Sequence, residues 1–218
     1  VNWVLANLEL IRELTVQHLG FSLPPLLIGL LIALPLGWLA NRTRTGRTVL
    51  INLAGLLFTI PSLALFVLLP IVLGTQILNP VNVIVALTIY TVALLVRTVA
   101  DALAAVPQVV VNAATAMGFS PLRRFLAVEL PMAVPVIVAG LRVAAVSAIS
   151  LVTVGSVIGF GGLGRMFTDG FQRDIPQEIT VGIVLVLALA LAVDGLLLVF
   201  GRVLTPWARL RETAGSTA

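Results

Sequence analysis

The groups able to do chemistry in this sequence are few, and most are arginines and carboxylates that interrupt long apolar runs. Arg97 and Asp101 lie four residues apart, which puts them on one face of a helix. That spacing predicts an ion pair that makes two costly charges tolerable, with a gating role as the lesser reading. Arg142 and Asp194 each stand alone in an apolar run, and Asp194 is expected to pair internally, with Arg142 a candidate partner. No nucleophile–base pair, carboxylate pair or metal set occurs at meaningful spacing, which points away from an enzyme. One histidine, His18, and no cysteine make a zinc site implausible. All thirteen basic residues are arginine, so the chain holds no GxxxxGK[ST] phosphate loop. If ATP drives this protein, another chain binds it.

The elements that must position these groups are membrane spans. The chain is 60% hydrophobic and 10% charged, and several uncharged runs exceed the roughly 18–20 residues that need a bilayer. The net charge of +4 could suggest nucleic acid, but the arginines flank apolar runs, which favours a topology signal. Five spans are predicted, at about 19–40, 49–74, 81–104, 132–157 and 179–203. Residues 1–18 are too charged to span and read as an amphipathic helix lying on the membrane surface. They lack the basic start and cleavage site of a signal peptide. Pro61, followed by Ser62, predicts a kink or break within the second span, tolerated where broken backbone lines an enclosed cavity. Counting arginines puts the amino terminus outside and the carboxy terminus inside. The tail, 204–218, is expected to be cytoplasmic, and its TAGSTA end disordered.

The stretch Asn112–Pro131 mixes charge, turn chemistry and helix signals. Pro107 can open a short helix, and Gly118 can end it in the left-handed geometry. Ser120 and Pro121 then read as the N-cap and first residue of a second short helix, which gives way at Pro131 to the next span. The result is an elbow, about 107–131, carrying Arg123 and Arg124 on the inner side, where another protein can grip it. A second unusual segment, Gly155–Gly164, lacks the strand and spacing of a dinucleotide site and reads as a re-entrant or external gate.

The elbow resembles the signature of ABC importer permease subunits: Glu-Ala-Ala, three residues, Gly, nine residues, Ile-x-Leu-Pro. Ala113, Ala114, Gly118, Leu130 and Pro131 match at the right separations, and Val128 replaces the isoleucine. Asn112 stands where the family has glutamate, which puts in question any ion pair made there. The segment Gly159–Gly164 looks like the glycine-rich segment of the same family, and the likeness runs from about His18 to about Phe200. It implies an all-α membrane protein with the type I importer transmembrane domain over 19–203. It further implies coupling through Asn112, Ala113, Ala114, Gly118, Ser120, Pro121, Arg123, Arg124, Leu130 and Pro131 to a cytoplasmic ATPase. ATP and magnesium would be held by that partner, and this chain would bind no cofactor. The other implied partners are a second permease, identical or related, an extracytoplasmic solute-binding protein and the lipid of a bacterial or archaeal cell membrane.

Within the family, the segments 60–65, 96–98, 117–121 and 129–142 look most like the osmoprotectant branch, which imports glycine betaine, carnitine, choline or proline betaine. A methionine or other amino-acid permease is the alternative, and a passive channel the alternative outside the family. Quaternary ammonium groups are attracted by aromatic faces, which makes Tyr90 a candidate contact in the path. Pro61, Ser62 and Phe160 are the other path candidates. Phe58 and Phe66 could also line it, with lipid or core contact the default for each.

Overall fold

The structure, a computed structural model, describes residues 2–207, and all its regular elements are helical. A short α1 (Asn2–Ala6) leads into α2 (Leu8–Ala40), which at 33 residues is roughly 50 Å long. Asn41 ends α2 and donates from its side-chain amide to the Ala100 carbonyl, at 2.8 Å. Thr43 then caps α3 (Arg44–Thr59), its hydroxyl accepting the Gly46 amide at 3.0 Å. Pro61 has no amide to continue that helix and forces Ile60 into the extended region. The chain restarts as α4 (Ser62–Leu73), bent by 100° from α3. Asn79 and Pro80 open α5 (Pro80–Ala104), with the Asn79 side chain accepting the Val81 amide. Next come α6 (Gln108–Ala116), α7 (Pro121–Arg124), a π turn over Phe125–Glu129 and α8 (Leu130–Gly155). A 3-10 turn, α9 (Arg165–Gln172) and α10 (Pro176–Leu204) complete the described chain.

At the centre lies α5, packed on α2, α3, α4 and α8. Its approach to α2 is close because α2 offers Gly29, Ala33 and Gly37 at four-residue intervals, a ridge of small residues. A side chain added at Gly37 would meet Val99 at 2.6 Å, and Thr91 fills the space beside Gly29. Without a hydrophobic driving force between helices in lipid, this close van der Waals contact holds the pair. Outermost is α10, which buries few residues against α8 and α9 and exposes Leu187, Leu191 and Leu196 as a lipid-suited face.

Four helices, or five if the α3–α4 pair counts as one span, are long and apolar enough to cross a membrane among the described residues. Two expectations need correction. The surface helix expected over 1–18 is not a separate helix: from Leu8 it is the start of α2, and Leu10, Ile11 and Leu14 pack with Leu163, Met166 and Leu185. Protein thus covers one side of the segment, while Leu5 and Leu8 stay exposed. Pro131 does not end a short helix either, because Pro121–Ile158 runs on as one helical rod. The π turn makes this possible: Leu130 donates to Phe125, five residues back, so the wider turn accommodates the proline that follows. Pro61, by contrast, breaks the second span as expected, and the break is a near right-angle turn. Arg209, Arg211 and the TAGSTA end lie outside the described residues.

Candidate functional site

The elbow is built by two local motifs back to back. Gly118 takes φ +81°, and the Phe119 and Gly118 amides donate to Ala114 and Thr115 at 3.2 and 3.0 Å. This pair of bonds is a Schellman motif, which satisfies the last carbonyls of α6. Two residues on, the Ser120 hydroxyl accepts the Arg123 amide at 3.4 Å and Pro121 starts α7. Arg124 then joins the two arms, donating to Glu129 at 2.5 Å and to the Thr115 hydroxyl at 2.8 Å. Beneath them Ala114, 1% exposed, seats α6 on the bundle, and Trp38 stacks on Phe125 at 5.1 Å.

The outer surface of the elbow stays free. Asn112, Ala113, Met117, Gly118, Ser120, Pro121 and Arg123 are exposed, and Leu130 and Pro131 are half-buried in the rod behind. Asn112 accepts only from Gln108, one turn back, at 3.0 Å, and Arg123 lies over the Phe119 ring at 4.6 Å. A rigid, doubly capped corner with an apolar and cationic outer face is suited to moving as a unit when gripped.

Alongside, Asp101 binds Arg47 of α3 at 2.5 Å, and Arg47 also reaches Asn41 at 2.9 Å. Arg97 is 3.8 Å from the other Asp101 oxygen. The pair expected within one helix is thus secondary to a bridge between helices. The candidate partner of Asp194 is found: Arg142 donates to both of its oxygens at 2.7 Å, tying α8 to α10.

At the break between α3 and α4, the Tyr90 hydroxyl donates to the Ile60 carbonyl, satisfying backbone that the proline leaves open. Tyr90 is 6% exposed and its ring packs edge-on with Phe58, centroids 5.9 Å apart. Its hydroxyl thereby holds the break from within the bundle. Phe160, 4% exposed, packs with Phe21 and Phe66 in the core. Phe66 is itself fully buried. Pro61 is exposed and Ser62 half-buried at the break, while Phe58, at 47%, presents the accessible ring.

Farthest from the elbow, the glycine-rich segment folds onto α2. Gly159 and Gly162 adopt φ +93° and +89°, and the Leu163 amide donates to His18 Nδ1 at 3.2 Å. That bond makes Nδ1 the acceptor, so Nε2 carries the proton and donates to the Ile149 carbonyl at 3.0 Å. Glu129, Thr115, Arg47 and His18 carry these contacts without a sequence signal, because each partner lies in a different element. His18 alone could have been suspected, as a lone polar ring in an apolar run.

Comparison with known proteins gives the family and supports the fold. Residues 19–207 match the family described as binding-protein-dependent transport system inner membrane component. The chain is 34% identical over 200 residues to the choline transport system permease protein OpuBB of Bacillus subtilis, covering 91% of both chains. It is also 34% identical to the osmoprotectant import permease protein OsmW of Salmonella typhimurium, covering 94% of this chain and 97% of that one. Among solved structures, an inward-facing conformation of the MetNI methionine ABC transporter superposes with TM-score 0.80 at 24% identity, over 92% of this chain and 98% of the other.

Proposed function

This chain belongs to the binding-protein-dependent transport system inner membrane components, and we propose that it is the translocating subunit of an ATP-driven importer for quaternary-ammonium osmoprotectants. The observation that carries the substrate class is the 34% identity to a choline permease across nine-tenths of both chains. The methionine transporter shares the fold at an identity that carries no substrate.

As a multi-pass membrane protein of this family, the chain would work with two cytoplasmic ATPases that hold ATP and magnesium, and itself hydrolyse nothing. Each ATPase would receive an elbow in a surface groove, gripping Asn112, Ala113, Gly118, Ser120, Pro121 and Arg123. Ala114, Arg124, Leu130 and Pro131 would act beneath the contact, keeping the corner rigid and joined to α8. Closure of the ATPases would move the elbows and swing the rod Pro121–Ile158, switching a central cavity between inward- and outward-facing states. The grip must differ between the two states for ATP to do work.

Charge supports one orientation. Among the described residues, Arg42, Arg44, Arg47, Arg123, Arg124 and Arg202 lie towards the elbow end, against Arg12, Arg165 and Arg173 at the other. Six against three supports an elbow in the cytoplasm, with the amino-terminal end and the glycine-rich turn facing a solute-binding protein outside. The transmembrane domain, 19–203, would pair with a second permease, identical or related, so that Pro61, Ser62 and the region of Pro135 face a shared midplane cavity. Broken backbone at that depth needs such cover. A bacterial or archaeal cell membrane is the expected site.

The test is reconstitution with the cognate ATPase and binding protein, following ATP-dependent uptake of labelled glycine betaine and choline with methionine as competitor. Uptake that needs ATP and resists methionine supports the proposal. Methionine uptake instead overturns the substrate, and flux without ATP overturns the importer.

A further inference from the structure

Between α3 and α5 runs a groove of about 310 Å³ whose lining includes Gly55 and Phe58 on one side and Leu94, Arg97 and Thr98 on the other. That is room for about ten waters, more than a small osmolyte needs. We infer that this groove is a passing site for zwitterionic solutes, Arg97 taking the carboxylate and the Phe58 ring facing the quaternary ammonium. The inference rests on the osmoprotectant reading above and adds a preference within it, for solutes that carry a carboxylate.

Arg97 supplies the first reason. It sits seven residues inside the end of α5, roughly 10 Å along the helix, yet its side chain is 72% exposed. An arginine on a spanning helix faces protein or a water-filled cavity, not acyl chains. Its ion-pair partner among the described residues, Asp101, is committed to Arg47 at 2.5 Å and stands 3.8 Å from Arg97. The guanidinium is therefore under-neutralised, and its planar fork matches a carboxylate.

Phe58 supplies the second. Its ring is held by Tyr90, which the Ile60 carbonyl fixes in turn, so an accessible aromatic face is fixed beside the groove. Phe58 also lies in the last turn of the 16-residue α3, where the carbonyl end of the helix favours positive charge. Aromatic face and helix end attract a quaternary ammonium together. Choline, which has no carboxylate, would use only this half of the site.

The experiment uses the complete reconstituted importer and compares maximal uptake rates for glycine betaine and choline, while binding-protein affinity is measured separately. Arg97→Gln is expected to cut the glycine betaine rate about tenfold or more and the choline rate by less than about twofold, the charge-assisted contact being lost for one solute only. Arg97→Lys should recover much of the glycine betaine rate. Gly55→Leu reads the groove without touching Arg97: a Cβ at Gly55 meets nothing within 4 Å, so the side chain should enter the groove and slow both solutes. Equal effects of Arg97→Gln on both solutes, or none on either, overturn the inference alone. So does a wild type that takes only choline, or a Gly55→Leu protein with full uptake. A wild type that takes neither solute overturns the osmoprotectant reading itself.

Discussion

Arg142 of α8 and Asp194 of α10 form a two-point ion pair, Nε to Oδ1 and Nη2 to Oδ2, each at 2.7 Å. Few other groups hold α10: Gly182, Ala190, Val193 and Gly201 are its buried small or apolar contacts. Inside a bilayer, removing one partner strands the other charge, while replacing both with apolar residues removes the problem. Asp194→Ala should therefore lower the thermal unfolding midpoint in detergent, and Arg142→Met with Asp194→Leu should recover about half of the loss or more. A double variant no more stable than the single one would mean that the pair holds α10 by geometry rather than by neutralising charge.

At the elbow, Gly118 has open space where a Cβ would go, so the strain of substitution is conformational alone. At φ +81° an alanine costs about 1 kcal/mol, and a β-branched side chain more. Gly118→Ala should keep most ATP-dependent uptake. Gly118→Val should stay inserted in the membrane but lose uptake, because the corner can no longer present one face. Uptake at the wild-type rate by the valine variant, with normal ATPase association, would remove the elbow from the coupling path.

Arg124 offers a separate handle on the same corner. Without it the 9%-exposed Glu129 loses its cation, while Thr115 keeps only its bond to the Val111 carbonyl, a cost of about 1–3 kcal/mol. Arg124→Ala should accelerate proteolytic cutting between Ala116 and Ser120 in reconstituted protein. Thr115→Val breaks one of the two bonds and should have a smaller effect. Equal protection in all three proteins would show that the caps alone hold the elbow.

What the sequence made legible follows the range of the forces. The spans are readable because a bilayer demands long apolar runs, and the elbow because Gly118, Ser120 and Pro121 act on their immediate neighbours. Asp101 shows where this ends: Arg97 is close in sequence, but Arg47, 54 residues away, reaches it at the shorter distance. The same holds for the amino-terminal segment, whose pattern fits lipid or protein equally: Leu14 is covered by Leu163 and Met166, and Leu5 and Leu8 are left exposed. Pro131 misled for another reason. Proline stops an α-helix by clash and a lost bond, and a π turn before it relieves both. The bond from Tyr90 to the Ile60 carbonyl was not legible either, because no local pattern reveals that Ile60 needs a donor.

The small-residue ridge on α2 predicts a graded response to volume. At Gly37 a Cβ would press on Val99 at 2.6 Å and the Ala100 amide at 3.1 Å, backbone that cannot move aside. Gly37→Val should destabilise by about 1–3 kcal/mol through overpacking. Gly20 on the same helix has nothing within 4 Å, so Gly20→Ala should be neutral or slightly stabilising, by up to about 1 kcal/mol. Thermal unfolding of both in one detergent decides it. Similar effects at the two sites would locate the cost in helix propensity rather than in packing on α5.

His18 is a clasp, because one neutral imidazole both accepts from the Leu163 amide and donates to the Ile149 carbonyl. The ring is fully buried, and so is Leu163, leaving no water to replace either bond. His18→Leu keeps volume and apolar character but leaves the Leu163 amide unpaired, at about 1–3 kcal/mol. His18→Gln retains one acceptor and a donor and should lose less. Hydrogen exchange at the Leu163 amide separates the two: it should speed up markedly in the leucine variant and modestly in the glutamine one. Unchanged exchange in both would mean that packing of Leu14, Leu163 and Met166 alone holds the glycine-rich turn on α2, and His18 would then be a passenger in that contact.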